Sequence, residues 1–72
     1  TIKAYRMTTH EILNIGFQKG NSPVSDEYIN GIVKVLVNAE QVIGVFITGI
    51  RLSCVKSIDE LQYICKRVNA QA

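Results

Sequence analysis

Few residues in this chain have both the type and the spacing that chemistry requires. His10 is the only histidine. It falls in the first turn of a predicted helix with no acid or nucleophile at a workable spacing, so no catalytic role is assigned to it. Cys54 and Cys65 both stand where the local pattern wants an inward apolar side chain, and they read as reduced core thiols acting as small hydrophobes, although pairing stays open. With one histidine and no Cys-x-x-Cys pair there are not four metal ligands, and no metal or other cofactor is expected. No glycine-rich phosphate loop, inward carboxylate pair or nucleophile with a nearby base is found, so the chain is expected not to be an enzyme. Tyr5, Tyr28 and Tyr63 would be stacking groups for bases only if they shared a face with cations, and they lie on different predicted elements. Phe46 is expected to anchor the core.

The elements that would position such residues follow from capping and periodicity. Thr8-Thr9-His10-Glu11 fits a capping box, so a first helix should start near Thr9, with Gly20 placed to end it and Gly20-Asn21-Ser22-Pro23 forming a turn. Ser25 is the next cap, with Asp26 and Glu27 in the first turn. Behind it Ile29, Ile32, Val33, Leu36 and Val37 recur at helical intervals, which predicts a half-buried second helix whose outward row is Glu27, Asn30, Gly31, Lys34 and Asn38. From Val42 the β-branched residues crowd together, and Ile50, Leu52 and Cys54 alternate beyond Thr48-Gly49, which predicts a hairpin. Ser57 and Glu60 form a second capping box ahead of the apolar stripe Ile58, Leu61, Ile64, Cys65 and Val68. A continuous helix over residues 25–53 is the competing reading. The fold class expected is therefore α+β, a small winged helix-turn-helix (helix, helix, β-hairpin, helix), with an all-α four-helix bundle as the alternative.

Seventy-two residues make one domain, with an ordered core expected over about residues 7–68, and such a chain buries only about 60% of its unfolded surface. The 47% hydrophobic content favours a folded soluble domain over a disordered tail. The apolar runs are too short to span a bilayer and no secretory signal is visible, so no membrane association and a cytoplasmic location are expected. A formal charge of +2 leans only weakly toward polyanions.

The order of elements, together with Met7-Thr8-Thr9-His10-Glu11-Ile12-Leu13-Asn14-Ile15-Gly16-Phe17 and the run from Phe46-Ile47-Thr48-Gly49-Ile50-Arg51 to Ile58-Asp59-Glu60-Leu61, resembles excisionase and MerR-type winged-helix DNA-binding domains. Small proteins encoded beside integrases in Gram-positive mobile elements show a similar layout. The resemblance implies a non-catalytic DNA-binding accessory protein of a phage or mobile element, acting in excision, replication or repression. It would set the second helix in the major groove, with Asn30 and Asn38 reading bases and Lys34 and Ser25 meeting phosphates, while Arg51 and Lys56 act from the wing. An ordinary solvated helix face is the other reading of Asn30, Lys34 and Asn38. Asp26 and Glu27 would repel phosphates, so weak to moderate, salt-sensitive binding is expected.

The rival function is a protein-interaction module that binds a larger repressor, helicase or polymerase partner, or forms a homo-oligomer. It rests on the weak charge and on Val35 and Val55, expected to be exposed.

Overall fold

Short-range turn chemistry, rather than helical periodicity, organises the middle of the chain. The computed structural model describes residues 5–23 and 26–71. Helix α1 (Thr9–Asn14) is followed by strands β1 (Gln18–Lys19), β2 (Asp26–Asn30), β3 (Val33–Asn38), β4 (Gln41–Ile47) and β5 (Ile50–Arg51), then by helix α2 (Ile58–Gln71). The strands form one antiparallel sheet in sequential order. The winged helix-turn-helix and the four-helix bundle are both overturned: residues 26–38, expected as a recognition helix, are a β-hairpin.

The reason lies at Asn30-Gly31. Asn30 pairs with Val33, which leaves Gly31 and Ile32 as a two-residue loop, and Gly31 has φ 64. Glycine at the first central position is what a type II′ hairpin turn needs. The site has no room for a side chain, since a Cβ on Gly31 would lie 2.1 Å from Asn69 Oδ1. Two further two-residue turns follow, Ala39-Glu40 (φ 52 and 63) and Thr48-Gly49 (φ 48 and 87). Both have the paired positive φ of type I′ turns, whose twist matches that of the flanking strands. The predicted hairpin across Thr48-Gly49 is thus present, with β5 only two residues long.

Once the register is set, alternation sorts the side chains. Val33, Val35 and Val37 of β3 face inward, where Val45 and Val42 lie opposite Val35 and Val37. They form the core with Met7, Ile12, Phe17, Val55, Leu61 and Cys65. Val35 and Val55, expected at the surface, are 0% and 1% exposed. Between Leu36 and Val37 the β3–β4 register shifts, so that Val37 faces Val42 while Leu36 faces Gly44, and Ile43 is the extra residue. A bulge of this kind confines a one-residue slip to one point instead of inverting the strand.

The helices follow their caps. Thr8 and Glu11 form the reciprocal capping box. Gly16, not Gly20, ends α1: it has φ 105, its amide donates to the Leu13 carbonyl, and the Phe17 amide donates to that of Ile12, the pattern of a Schellman motif. On α2, Leu61 and Cys65 are buried and Ile58, Ile64 and Val68 pack against the core, as the stripe predicts. Asn69 ties the end of α2 to the β2–β3 turn, accepting from the Ile32 amide at 3.0 Å and donating to the Asn30 carbonyl at 3.1 Å. Cys54, expected inside, is exposed.

At the start of α2 the Ser57 hydroxyl accepts from the Glu60 amide, and Glu60 Oε1 accepts from the amides of Lys56 and Ser57 at 3.1 Å each. The Lys56 amide, then the Ser57 side chain, hold the Glu60 carboxyl below its ordinary value of 4.5. A depressed carboxylate contributes stability that is present above the unfolded value and lost as pH falls through the folded one. Thermal melts of Glu60→Gln and the parent should therefore differ at neutral pH, and the difference should shrink as pH falls below about 4.5.

Ala39 and Glu40 hold left-handed conformations that side chains disfavour, whereas glycine adopts them freely. Glu40→Gly is expected to raise stability by about 0.5–1 kcal/mol, read as a higher urea midpoint at unchanged slope.

Candidate nucleic-acid interface

The faces of the sheet differ in what covers them. Every fully buried strand side chain among the described residues lies on the face that meets the helices and the N-terminal segment. The opposite face carries one row in register across all five strands: Gln18, Ile29, Lys34, Phe46 and Arg51. The next row along is Glu27, Leu36 and Gly44. Leu36 and Phe46 are half-buried, while Ile29 is 39% and Ile43 47% exposed.

Phe46 is at the centre of this face and not in the core, where it was expected. It sits opposite Lys34 on one side and Arg51 on the other. Its ring lies over Gly44, where a Cβ would come within 2.9 Å of Phe46 Cε1. The absent side chain at Gly44 lets the ring lie along its own strand. The Arg51 guanidinium carbon is 5.9 Å from the ring centroid, within cation–π range, and Nη2 donates to the Ile43 carbonyl at 2.9 Å. Lys34 Nζ is 3.7 Å from Glu27 Oε2. At that length the pair is weak, and Lys34, the more exposed of the two partners, keeps its ammonium open to another anion.

The predicted site residues fare unequally. Lys34 and Arg51 come together around Phe46, on strands and not on a helix and wing. Asn38, at the end of β3, lies on the same face with an exposed side chain. Asn30 is removed as a base reader because its carboxamide is spent inside the protein. Its Nδ2 donates to the Ile15 carbonyl at 3.3 Å, and its Oδ1 accepts from Asn69 at 3.3 Å. Lys56 precedes the Ser57 cap of α2 and is not a member of the row, and Ser25 lies outside the described residues.

Sequence reasoning missed Phe46 and Arg6. The amide of Arg6 donates to the Lys56 carbonyl at 2.7 Å, which sets two exposed cations side by side. Only the pairing reveals that neighbour. Phe46 was open to detection, since it alternates with the buried Val45.

The other candidates are accounted for by packing. Tyr5 is buried and its hydroxyl donates to the Leu52 carbonyl at 2.9 Å, Tyr28 packs against the core, and Tyr63 stands on α2 with Arg67 over its ring. Burial pushes the Cys65 thiol up to about 11, which keeps it in the unreactive protonated form. No helix among the described residues is long and apolar enough to cross a membrane. Comparison with known proteins yields no match to a family model, a curated protein or a solved structure.

Because both cations are exposed, Lys34 with one long ion pair and Arg51 with one carbonyl bond and a ring contact, Lys34→Ala and Arg51→Ala should each cost less than about 1 kcal/mol in chemical denaturation. A larger loss would mean that the row is a structural device.

Proposed function

We propose that this chain is a non-catalytic nucleic-acid-binding module whose open sheet face takes a single strand. The observation that carries the reading is the in-register triplet Lys34, Phe46, Arg51 on the face left bare by the helices. A ring offers any base a stacking surface, and cations on either side meet the phosphates that flank that base. Two strand spacings separate the cation-bearing backbones by about 10 Å, so both can serve one short stretch of chain.

Single strands are favoured over a duplex on steric grounds. A major groove admits a helix or a two-stranded ribbon. Here α1 has six residues and α2 lays its apolar side on the core, while the triplet lies in the middle of a five-stranded surface. The proposal thus keeps nucleic acid from the sequence expectations and drops the groove-reading helix.

Affinity should be low. With two or three phosphates engaged, the logarithm of the binding constant should fall with that of salt at a slope of about −1.5 to −2. Fluorescence anisotropy with labelled 15-mer single strands and a matching duplex at 50 and 200 mM salt tests this. Single strands should bind better, Phe46→Ala should weaken binding about five- to a hundredfold, and Lys34→Glu with Arg51→Glu should abolish it. Equal affinity for duplex, or indifference to Phe46→Ala, would refute the assignment.

One observation favours a second reading. Ile29 and Ile43 expose aliphatic surface on the same face, and Glu27 offsets one of its two cations. A protein partner would use those aliphatics, and absence of oligonucleotide binding even at 50 mM salt would shift the weight there.

A further inference from the structure

Beside the triplet, the turn between β3 and β4 borders a groove of about 500 Å3, lined by Tyr5, Asn38, Gln41, Val42, Ile43 and Arg51. That volume is within the range of small-ligand sites, about 300–1,000 Å3. We infer that this groove receives an adenine base, with the Asn38 carboxamide reading its edge and Arg51 holding the attached phosphate. The inference deepens the single-strand reading and rests on it for the identity of the polymer, though not for the groove itself.

The lining has the chemistry of a base site. A nucleobase is a flat ring system with apolar faces and a polar rim. Ile43, 47% exposed, supplies apolar contact, and Tyr5, whose hydroxyl proton is given to Leu52, keeps an oxygen lone pair. Asn38 has no hydrogen-bond partner for its carboxamide among the described residues, in contrast to the committed carboxamides of Asn30 and Asn69. An asparagine amide matches adenine, presenting one donor and one acceptor to the N7 and N6 groups. Arg51 connects the two surfaces: its bond to the Ile43 carbonyl keeps the guanidinium in the groove lining, while the same group lies by the Phe46 ring. A nucleotide in the groove and its neighbour stacked on Phe46 would thus share one cation.

The groove is also preorganised. Ala39, another lining residue, and Glu40 keep left-handed backbones without glycine, and they are clamped from outside by the Thr9 amide on the Glu40 carbonyl and the Val42 amide on the Met7 carbonyl, both 3.0 Å. A turn clamped from outside in this way has a fixed shape, and a fixed shape lowers the cost of ordering on association.

Titration of the 15N-labelled protein with 5′-AMP, and separately with 5′-CMP and 5′-UMP, tests the groove without any polymer. Adenylate should shift the Asn38 side-chain amide and the backbone amides of residues 38–43, binding about 5- to 150-fold more tightly than the pyrimidine nucleotides. Asn38→Ala should erase that preference, and Ile43→Trp, a change at an exposed bulge position, should block all three nucleotides. Shifts confined to Phe46 and its neighbours, equal response to the three nucleotides, or an unaltered preference in Asn38→Ala would overturn the inference. Because Phe46→Ala with 15-mers reads the triplet and mononucleotides read the groove, the two can fail separately.

Discussion

Register on β3 is the constraint from which everything else in this molecule follows. β3 is the central strand, joined to each neighbour by a two-residue turn. A turn of that length leaves one way to align the strands it connects, and side chains alternate with period two. Val33, Val35 and Val37 are therefore committed to one face and Lys34, Leu36 and Asn38 to the other. A slip of one residue would bury Lys34 and expose the three valines. Each inward valine has an apolar partner opposite it on β4, namely Ile47, Val45 and Val42. Burying about a methylene's worth of surface contributes roughly 0.8 kcal/mol, so the three pairs together outweigh any single turn.

The bulge at Ile43 resolves a conflict that this alignment creates. Val42 and Val45 are both needed inside, but they are three residues apart, an odd spacing that regular alternation would send to opposite faces. One extra residue between them restores both to the core at the cost of Ile43, which is left outside. Arg51 then takes up the Ile43 carbonyl beside the irregularity. An aliphatic side chain on an open face is thereby explained by packing on the other face.

Much of the periphery was legible in the residues. Both capping boxes, the stripe of α2 and the hairpin at Thr48-Gly49 rest on local rules that tertiary context did not override. The centre was misread because Ile29, Ile32, Val33, Leu36 and Val37 fit a helical period while Val33, Val35 and Val37 fit a period of two, and the two patterns share residues. Chemistry separates them. Five of the residues between 29 and 37 are β-branched, which favours strands, and Asn30-Gly31 sits where a hairpin would turn. At the site, Lys34, Asn38 and Arg51 were identified as exposed polar groups, but their association depended on strand pairing that a helix reading had excluded. Asn30 failed for a related reason. Its partners are Ile15 and Asn69, 15 and 39 positions away, and nothing local announces them.

Among the described residues both helices are spent on one face of the five-stranded sheet, where the core requires them, and the other face carries strand-forming residues with no helix over them. Antiparallel sheets tolerate such a face when polar groups alternate in. Here the row through Phe46 does so by flanking each apolar side chain with a polar or charged one: Gln18 beside Ile29, then Lys34, then Phe46, then Arg51. Long cationic side chains cover apolar surface with their stems while their charges stay in solvent. The same alternation of apolar and polar side chains places cations on both sides of a ring. The row thus has an apolar centre and charged margins that follow from one strand register, and any molecule set on it would have to match both.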